Sequence, residues 1–174
     1  LMELALANKQ LDVGRTAAES LVARDRTDFQ AAIDQLLFLA EAHLPLEWSP
    51  ALDRFFLRFG LNEVARVTLL KQLESVKNPE LLEAIWMQME EGGQLSSEAR
   101  MAYVQNLILV GRVDQAEREF AITRKEIELA GDAAEAWIEG TRLLLDALTV
   151  RADSSLSQLK AFCAEQKLNP DAYR

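Results

Sequence analysis

The stretch YVQNLILVGRVDQAEREF, residues 103–120, joins two predicted helices through a single glycine. Apolar residues recur at helical spacing before Gly111. After Val113 apolar residues again recur at helical spacing, with charged residues between them. Glycine ends helices readily because it takes the left-handed backbone conformation without a steric penalty. The stretch therefore predicts a helical hairpin whose first helix ends near Val110 and whose second runs to about Leu129.

The composition of the whole chain is that of an all-α protein. Leucine, alanine and glutamate, which are strong helix formers, account for 72 of the 174 residues. Valine, isoleucine and threonine together are outnumbered by leucine alone, and no stretch alternates between apolar and polar with period two. We therefore expect helices and no sizeable sheet.

Helix start and stop signals divide the chain into about ten helices. Asp28 and Asn78 are predicted caps, Gly14 is predicted to end the first helix, and residues 43–48 are predicted to form the longest irregular connection. The predicted helices are Glu3–Leu11, Arg15–Arg24, Phe29–Ala42, Pro50 to Gly60, Asn62–Val76, Pro79 to Gly92, Ser97 to Val110, Val113–Leu129, one beginning at Asp132 and one from Asp153 to Asn169.

Paired in order, these helices form hairpins, most of which are similar in length. The predicted hairpins cover residues 1–26, 27–60, 61–93, 94–130 and 131–170. Helix–turn–helix units that recur with a period of roughly 20–50 residues are typical of a solenoid, in which each unit covers the apolar face of the next. The alternative is a helical bundle without repeats.

The spacing of Gly111, Ala116 and Phe120 resembles that of a tetratricopeptide repeat, in which a turn glycine is followed by a small residue and an aromatic. The fifth hairpin begins AEAW at residues 134–137 and is followed by Asn169-Pro170, as such repeats often are. The resemblance implies a right-handed α–α superhelix of about five stacked hairpins, a single repeat domain over residues 1–174. Because residues 169–174 resemble the opening of a further repeat, we expect a fragment of a longer array.

Charge and residue inventory argue against several functions. The net charge of −9 disfavours nucleic acid and anionic membrane surfaces. The single histidine and single cysteine, His43 and Cys163, are too few for a zinc site, and no glycine-rich phosphate loop occurs. We expect no catalytic residues, no cofactor, no metal and no enzyme activity. With neither a signal peptide nor an apolar run long enough to span a bilayer, we expect no membrane insertion and a cytoplasmic location.

Two residue groups are open to either a binding or a structural interpretation. Five carboxylates and no base lie between Lys77 and Arg100, so they form either an acidic binding stripe or a solvated face. Aromatic residues form the second group, which either packs into the core or leaves part of itself exposed to a partner. The carboxylates are Glu80, Glu83, Glu90, Glu91 and Glu98, and the aromatics are Trp48, Phe55, Phe56 and Phe59.

The resemblance implies that the first helix of each hairpin lines a concave groove. The candidate partner-binding residues are then Glu98, Met101, Gln105 and Ile108 in the fourth hairpin and Glu135, Ile138 and Arg142 in the fifth. A groove of this apolar and acidic character suits an amphipathic or basic peptide. The family's clamp for a C-terminal carboxylate is not supported, because Leu4 stands where a lysine is needed.

The leading hypothesis is a non-catalytic scaffold that binds a partner protein or peptide on its concave face. The alternative is a helical accessory or regulatory domain of a larger enzyme or of a secretion or assembly system. A second copy of the chain is a further candidate partner, because the exposed end of a solenoid can dock on another copy and form a homo-oligomer.

Overall fold

The computed structural model describes residues 2–93, 95–130, 134–149 and 153–165, and all regular structure in them is α-helical. The ten helices in these ranges confirm the predicted all-α class and helix number. They are α1 (Met2–Ala7), α2 (Leu11–Arg24), α3 (Phe29–Glu41), α4 (Pro45–Phe59), α5 (Glu63–Leu73), α6 (Pro79–Glu91), α7 (Ser97–Leu109), α8 (Val113–Ala130), α9 (Glu135–Thr149) and α10 (Asp153–Glu165).

The chain divides into two compact units, Leu1–Asn106 and Leu107–Arg174, with the boundary inside α7. We call them the first and second units and describe each by itself. The single repeat domain over 1–174 and the right-handed superhelix stay predictions.

The first helices of successive hairpins begin at a constant interval of 34 positions in the sequence. Helices α3, α5 and α7 begin at Phe29, Glu63 and Ser97. The side chain of the residue before each start accepts hydrogen bonds from backbone N–H groups of the first turn; these residues are Asp28, Asn62 and Ser96. The caps predicted at Asp28 and Asn78 are confirmed, the latter at the start of α6.

The second helices and the turns before them follow the same interval. Helices α2, α4, α6 and α8 begin at positions 11, 45, 79 and 113. Two residues before each start, the backbone has a positive φ: 57° at Lys9, 53° at His43, 50° at Lys77 and 79° at Gly111. The fifth hairpin departs from this interval, because α9 and α10 both begin later than the interval would place them, at Glu135 and Asp153.

Gly14 does not end the first helix, so that prediction is wrong. Helix α1 ends at Ala7, α2 begins at Leu11, and Lys9 makes the turn between them. Gly14 lies buried inside α2, where an added Cβ would stand 2.3 Å from Cζ of Phe38 in α3. The glycine is therefore needed for the close approach of two helices rather than for a turn.

The predicted irregular connection over residues 43–48 is also wrong, because α4 begins at Pro45 rather than at Pro50. Pro45 occupies the first helical turn, where a missing N–H removes no hydrogen bond. Pro50 lies inside the helix and leaves the carbonyl of Leu46 without its usual donor. Leu46 is 91% exposed, so water can reach this turn of the helix and the proline is tolerated there.

Three smaller predictions concern one cap and two helix ends. Helix α5 ends at Leu73 rather than Val76, because the chain turns through Lys77 before α6. The predicted cap at Asp132 and the predicted end near Asn169 lie outside the described residues.

Within the first unit, neighbouring hairpins contact each other helix to helix. Helix α3 packs against α1, α2, α4 and α5 around a core that includes Ile33, Leu36 and Leu70. The second helices are joined by an ion pair between Arg15 of α2 and Glu47 of α4 and by a hydrogen bond from Gln88 of α6 to Asp53 of α4.

In the second unit, α9 packs against both α8 and α10. Its core contains the buried residues Leu143, Leu144, Leu159 and Cys163. Gly140 of α9 faces the ring of Phe162 in α10, and an added Cβ would stand 2.9 Å from its Cε1 atom. Glycine thus permits a close helix contact in this unit as well.

Candidate partner-binding surface

Helix α7 carries three of the predicted partner-binding residues in the first unit: Glu98, Met101 and Gln105. Glu98 is exposed and forms an ion pair with Lys71 of α5, with 2.5 Å between Nζ and Oε1. Met101 and Gln105 are half-buried. The buried Asn106 side chain donates hydrogen bonds to the carbonyls of Leu70 (2.8 Å) and Ala102 (2.9 Å) and so fixes α7 against α5.

Ile108, the fourth predicted residue of this helix, belongs to the second unit. It is half-buried and packs against the core cluster of that unit, which includes Leu143 and Leu159. Part of its side chain is therefore used for packing, and its role in binding stays a prediction.

Helix α9 places the remaining three predicted residues along one side of the second unit. Glu135 is exposed, whereas Ile138 and Arg142 are half-buried. The guanidinium of Arg142 donates to Glu139 (2.6 Å) and to Asp146 (2.8 Å). The hydrogen bond between Arg142 and Glu139 raises the pKa of the arginine and lowers the pKa of the glutamate. Arg142 is thus held between two carboxylates of its own helix.

The constant interval between hairpins allows these positions to be compared with earlier ones. The positions equivalent to Met101 are Val67 and Ile33, which are both buried. The positions equivalent to Gln105 are Lys71, which is exposed, and Leu37, which is half-buried. By this comparison, the position of Gln105 lies on the outward side of the first helices, whereas the position of Met101 faces the core in the two earlier hairpins.

A groove on this side of the first unit was missed by sequence reasoning. It has a volume of about 370 Å³ and is lined by Met2 and Leu6 of α1 and by Asp34, Leu37 and Glu41 of α3, among others. The Asp34 carboxylate accepts a hydrogen bond from Gln30 (2.7 Å), and Glu41 is exposed. Leu37, which lines the groove, precedes Gln105 by two intervals. A search of the sequence for a fixed period would therefore have pointed to this groove.

Of the two groups with open interpretations, the aromatic group is largely structural, and the carboxylates stay open to either interpretation. Trp48, Phe55 and Phe59 are buried, while Phe56 is half-buried with its ring 5.5 Å from that of Phe55. On α6, Trp86 and Met89 are buried, whereas Met87 is 61% exposed. The acidic residues of this helix form an exposed face: Glu80, Glu83, Glu90 and Glu91.

The remaining predictions concern metals and membranes. His43 is exposed and Cys163 is buried. No group of three or more His, Cys, Asp or Glu side chains in the described ranges is arranged to hold a metal ion. None of the helices in the described part of the chain combines the length and apolar character needed to cross a membrane.

Comparison with known proteins does not identify a family for this chain. Protein-family models, curated protein sequences and solved structures gave no significant match to the chain.

Proposed function

We propose that the chain is a tetratricopeptide-like α-solenoid that binds a partner protein or peptide without catalysis of its own. The observation that supports this proposal most is the constant interval, which spaces the turns and second-helix starts of four hairpins and the caps and first-helix starts of three. This interval equals the repeat length of the tetratricopeptide family, and arrays of such hairpins present an extended surface for binding.

The proposed binding surface follows the first helices of the hairpins. In the first unit it includes the groove between α1 and α3, where Leu6 and Leu37 lie beside the carboxylates of Asp34 and Glu41. Apolar side chains beside carboxylates suit a segment that carries both apolar and basic residues. The net charge of −9 favours such a partner over nucleic acid.

The proposal is tested by titrating the whole chain with peptides of defined sequence in a calorimeter. The probe is an amphipathic helical peptide of leucine and lysine, and the controls are its scrambled sequence and a leucine–glutamate counterpart. We expect saturable binding of the amphipathic basic peptide alone, because only this probe matches both the apolar and the acidic side chains of the groove.

Variants locate the binding surface. Asp34→Asn and Glu41→Gln are expected to weaken peptide binding about threefold to tenfold each, since each removes one carboxylate from the groove. Glu90→Gln on the exposed face of α6 makes the same change in net charge and is expected to leave binding nearly unchanged. Equal binding of the scrambled peptide, or equal effects of all three variants, would contradict this surface.

A further inference from the structure

A second groove of the first unit lies between α4 and α6 and carries exposed leucines. It has a volume of about 470 Å³ and is lined in part by Phe56, Leu57 and Leu61. Leu57 is 87% exposed and Leu61 is 94% exposed, while the ring of Phe56 is half-buried. Neighbouring apolar side chains that remain this exposed beside a groove are typical of an interaction surface.

The walls of this α4–α6 groove are held in place by contacts within the unit. Gln88 of α6 donates a hydrogen bond to the Asp53 carboxylate of α4, with 3.0 Å between the two atoms. Gly60 and Gly92, which follow the two helices, also line the groove. The groove is therefore a preformed recess beside two protruding leucines.

The charges along the groove are of both signs. Arg58 and Glu91 line it, and neither forms an ion pair within the described part of the chain. Asp53, the other carboxylate of the lining, is already hydrogen-bonded to Gln88. A partner that carries both an acidic and a basic residue can pair with Arg58 and Glu91 at once, whereas a partner with charges of one sign meets at least one like charge.

We propose that the occupant of the α4–α6 groove is a second copy of this chain, bound through the same surface. In a two-fold pairing, each surface meets itself, so Arg58 of one copy can face Glu91 of the other. The protruding Leu57 and Leu61 of each copy then fill the recess of its partner. Because each chain carries a net charge of −9, two copies repel each other less at a surface that also carries a base than at a purely acidic face.

The first test is the oligomeric state of the whole chain by sedimentation equilibrium. Because the patch is small, we expect weak association that becomes measurable between about 5 µM and about 500 µM. The double variant Leu57→Gln with Leu61→Gln is expected to weaken the dimer at least tenfold. Leu46→Gln is the matched control, since Leu46 is 91% exposed on α4, the helix that carries Leu57, but does not line the groove.

The second test reverses the two charges. Arg58→Glu and Glu91→Arg are each expected to weaken the dimer, because each places like charges opposite one another, and the two changes combined are expected to restore it. Far-UV circular dichroism checks that every variant keeps its helical content. Variants Asp34→Asn and Glu41→Gln are expected to leave the dimer constant unchanged, which separates this inference from the proposed peptide surface.

Three outcomes would overturn the inference. The first is a chain that stays monomeric at every concentration measured. This outcome contradicts the inference even if an added peptide binds the α4–α6 groove. The second is a dimer whose constant does not respond to the leucine variants. The third is a combined charge reversal that remains as weak as the single reversals.

Discussion

Two aromatic pairs that lie one hairpin interval apart in the sequence pack differently in the two units. In the first unit, the rings of Trp86 and Tyr103 are stacked, with 3.8 Å between centroids and 2° between planes. In the second unit, the rings of Phe120 and Trp137 are tilted by 54° at 5.6 Å. Phe120 and Trp137 each follow their counterparts by one hairpin interval, so each pair joins the second helix of one hairpin to the first helix of the next.

The two aromatic pairs differ in how deeply their rings are buried. Trp86 and Tyr103 are 6% and 1% exposed. Trp137 is half-buried, and its indole Nε1 is buried with no hydrogen-bond partner among the described residues. A buried donor without a partner reduces stability. We therefore expect the aromatic pair of the first unit to stabilise the fold more than that of the second.

The largest expected effect comes from removing the two tryptophans in turn. Trp86→Ala is expected to lower the free energy of unfolding by about 3–5 kcal/mol, as is usual for a buried aromatic. Trp137→Ala is expected to cost about 1–2 kcal/mol, since less apolar area is lost. Urea unfolding followed by far-UV circular dichroism measures both. Equal losses would mean that the two aromatic pairs are energetically alike.

Ala116 tests whether the second unit accepts a side chain that the first unit carries. The equivalent residue one interval earlier is Leu82, and both residues are fully buried. Ala116→Leu is expected to lower the free energy of unfolding by about 1–3 kcal/mol through overpacking. The control is Glu117→Leu at the neighbouring exposed position, expected to change stability by less than about 0.5 kcal/mol. A neutral Ala116→Leu would weaken the equivalence of the two positions.

Two helical glycines face phenylalanine rings, one in each unit. An added Cβ at Gly14 would meet Phe38 at 2.3 Å and Ala5 at 3.0 Å, and both neighbours are buried. At Gly140 the three nearest atoms would all belong to Phe162, the closest at 2.9 Å, and this ring is half-buried and freer to move. Gly14→Ala is expected to cost about 1–2 kcal/mol after the helix-propensity gain, whereas Gly140→Ala is expected to change stability by less than about 1 kcal/mol. Thermal unfolding distinguishes these outcomes, and a larger loss at Gly140 would reverse the comparison.

The turns offer a smaller and reciprocal test. Lys77 and Gly111 occupy equivalent turn positions with φ of 50° and 79°. Lys77→Gly is expected to raise the free energy of unfolding by about 0.5 kcal/mol, since relief of left-handed strain slightly exceeds the entropy cost of glycine. Gly111→Ala is expected to lower it by about 1 kcal/mol. Lys77→Ala, which keeps the unfavourable φ, is the control, and a gain there equal to that of Lys77→Gly would exclude backbone strain as the cause.

The smallest expected effect depends on pH. Burial raises the pKa of the Glu74 carboxyl above its ordinary value of 4.5, although the charge of Lys71 opposes the shift. Because the folded pKa is raised, protonated Glu74 stabilises the fold below the unfolded pKa, and this contribution is lost as pH rises through the folded pKa. We therefore expect Glu74→Gln to be more stable than the parent at pH 7 and to lose this advantage below pH 4.5.

Urea unfolding of Glu74→Gln and of the parent, each at pH 7 and below pH 4.5, measures the difference in their free energies of unfolding. Glu90→Gln on the exposed face of α6 is the control, and a pH response equal to that of Glu74→Gln would rule out burial as the cause. The test also sharpens the comparison between units, because the position equivalent to Glu74 in the second unit is the apolar Ile108, which packs against the core.

Local signals were sufficient to predict the helical class and most helix starts. The caps at Asp28 and Asn78 form hydrogen bonds to backbone groups no more than three residues away. The turn at Gly111 likewise depends on one residue's own backbone freedom. Such interactions are complete within a few residues, so they can be identified from sequence alone.

Other features depend on residues far away in the chain and were decided by packing. Gly14 is a close-contact residue only because Phe38, on the next helix, fills the space beside it. The turns at Lys9, His43 and Lys77 take the left-handed conformation without glycine, because packing of the flanking helices outweighs the local strain. The two grooves likewise combine side chains from separate helices. The sequence by itself therefore determined which segments are helical and where most begin, whereas only the tertiary structure decided which surfaces remain open to a partner.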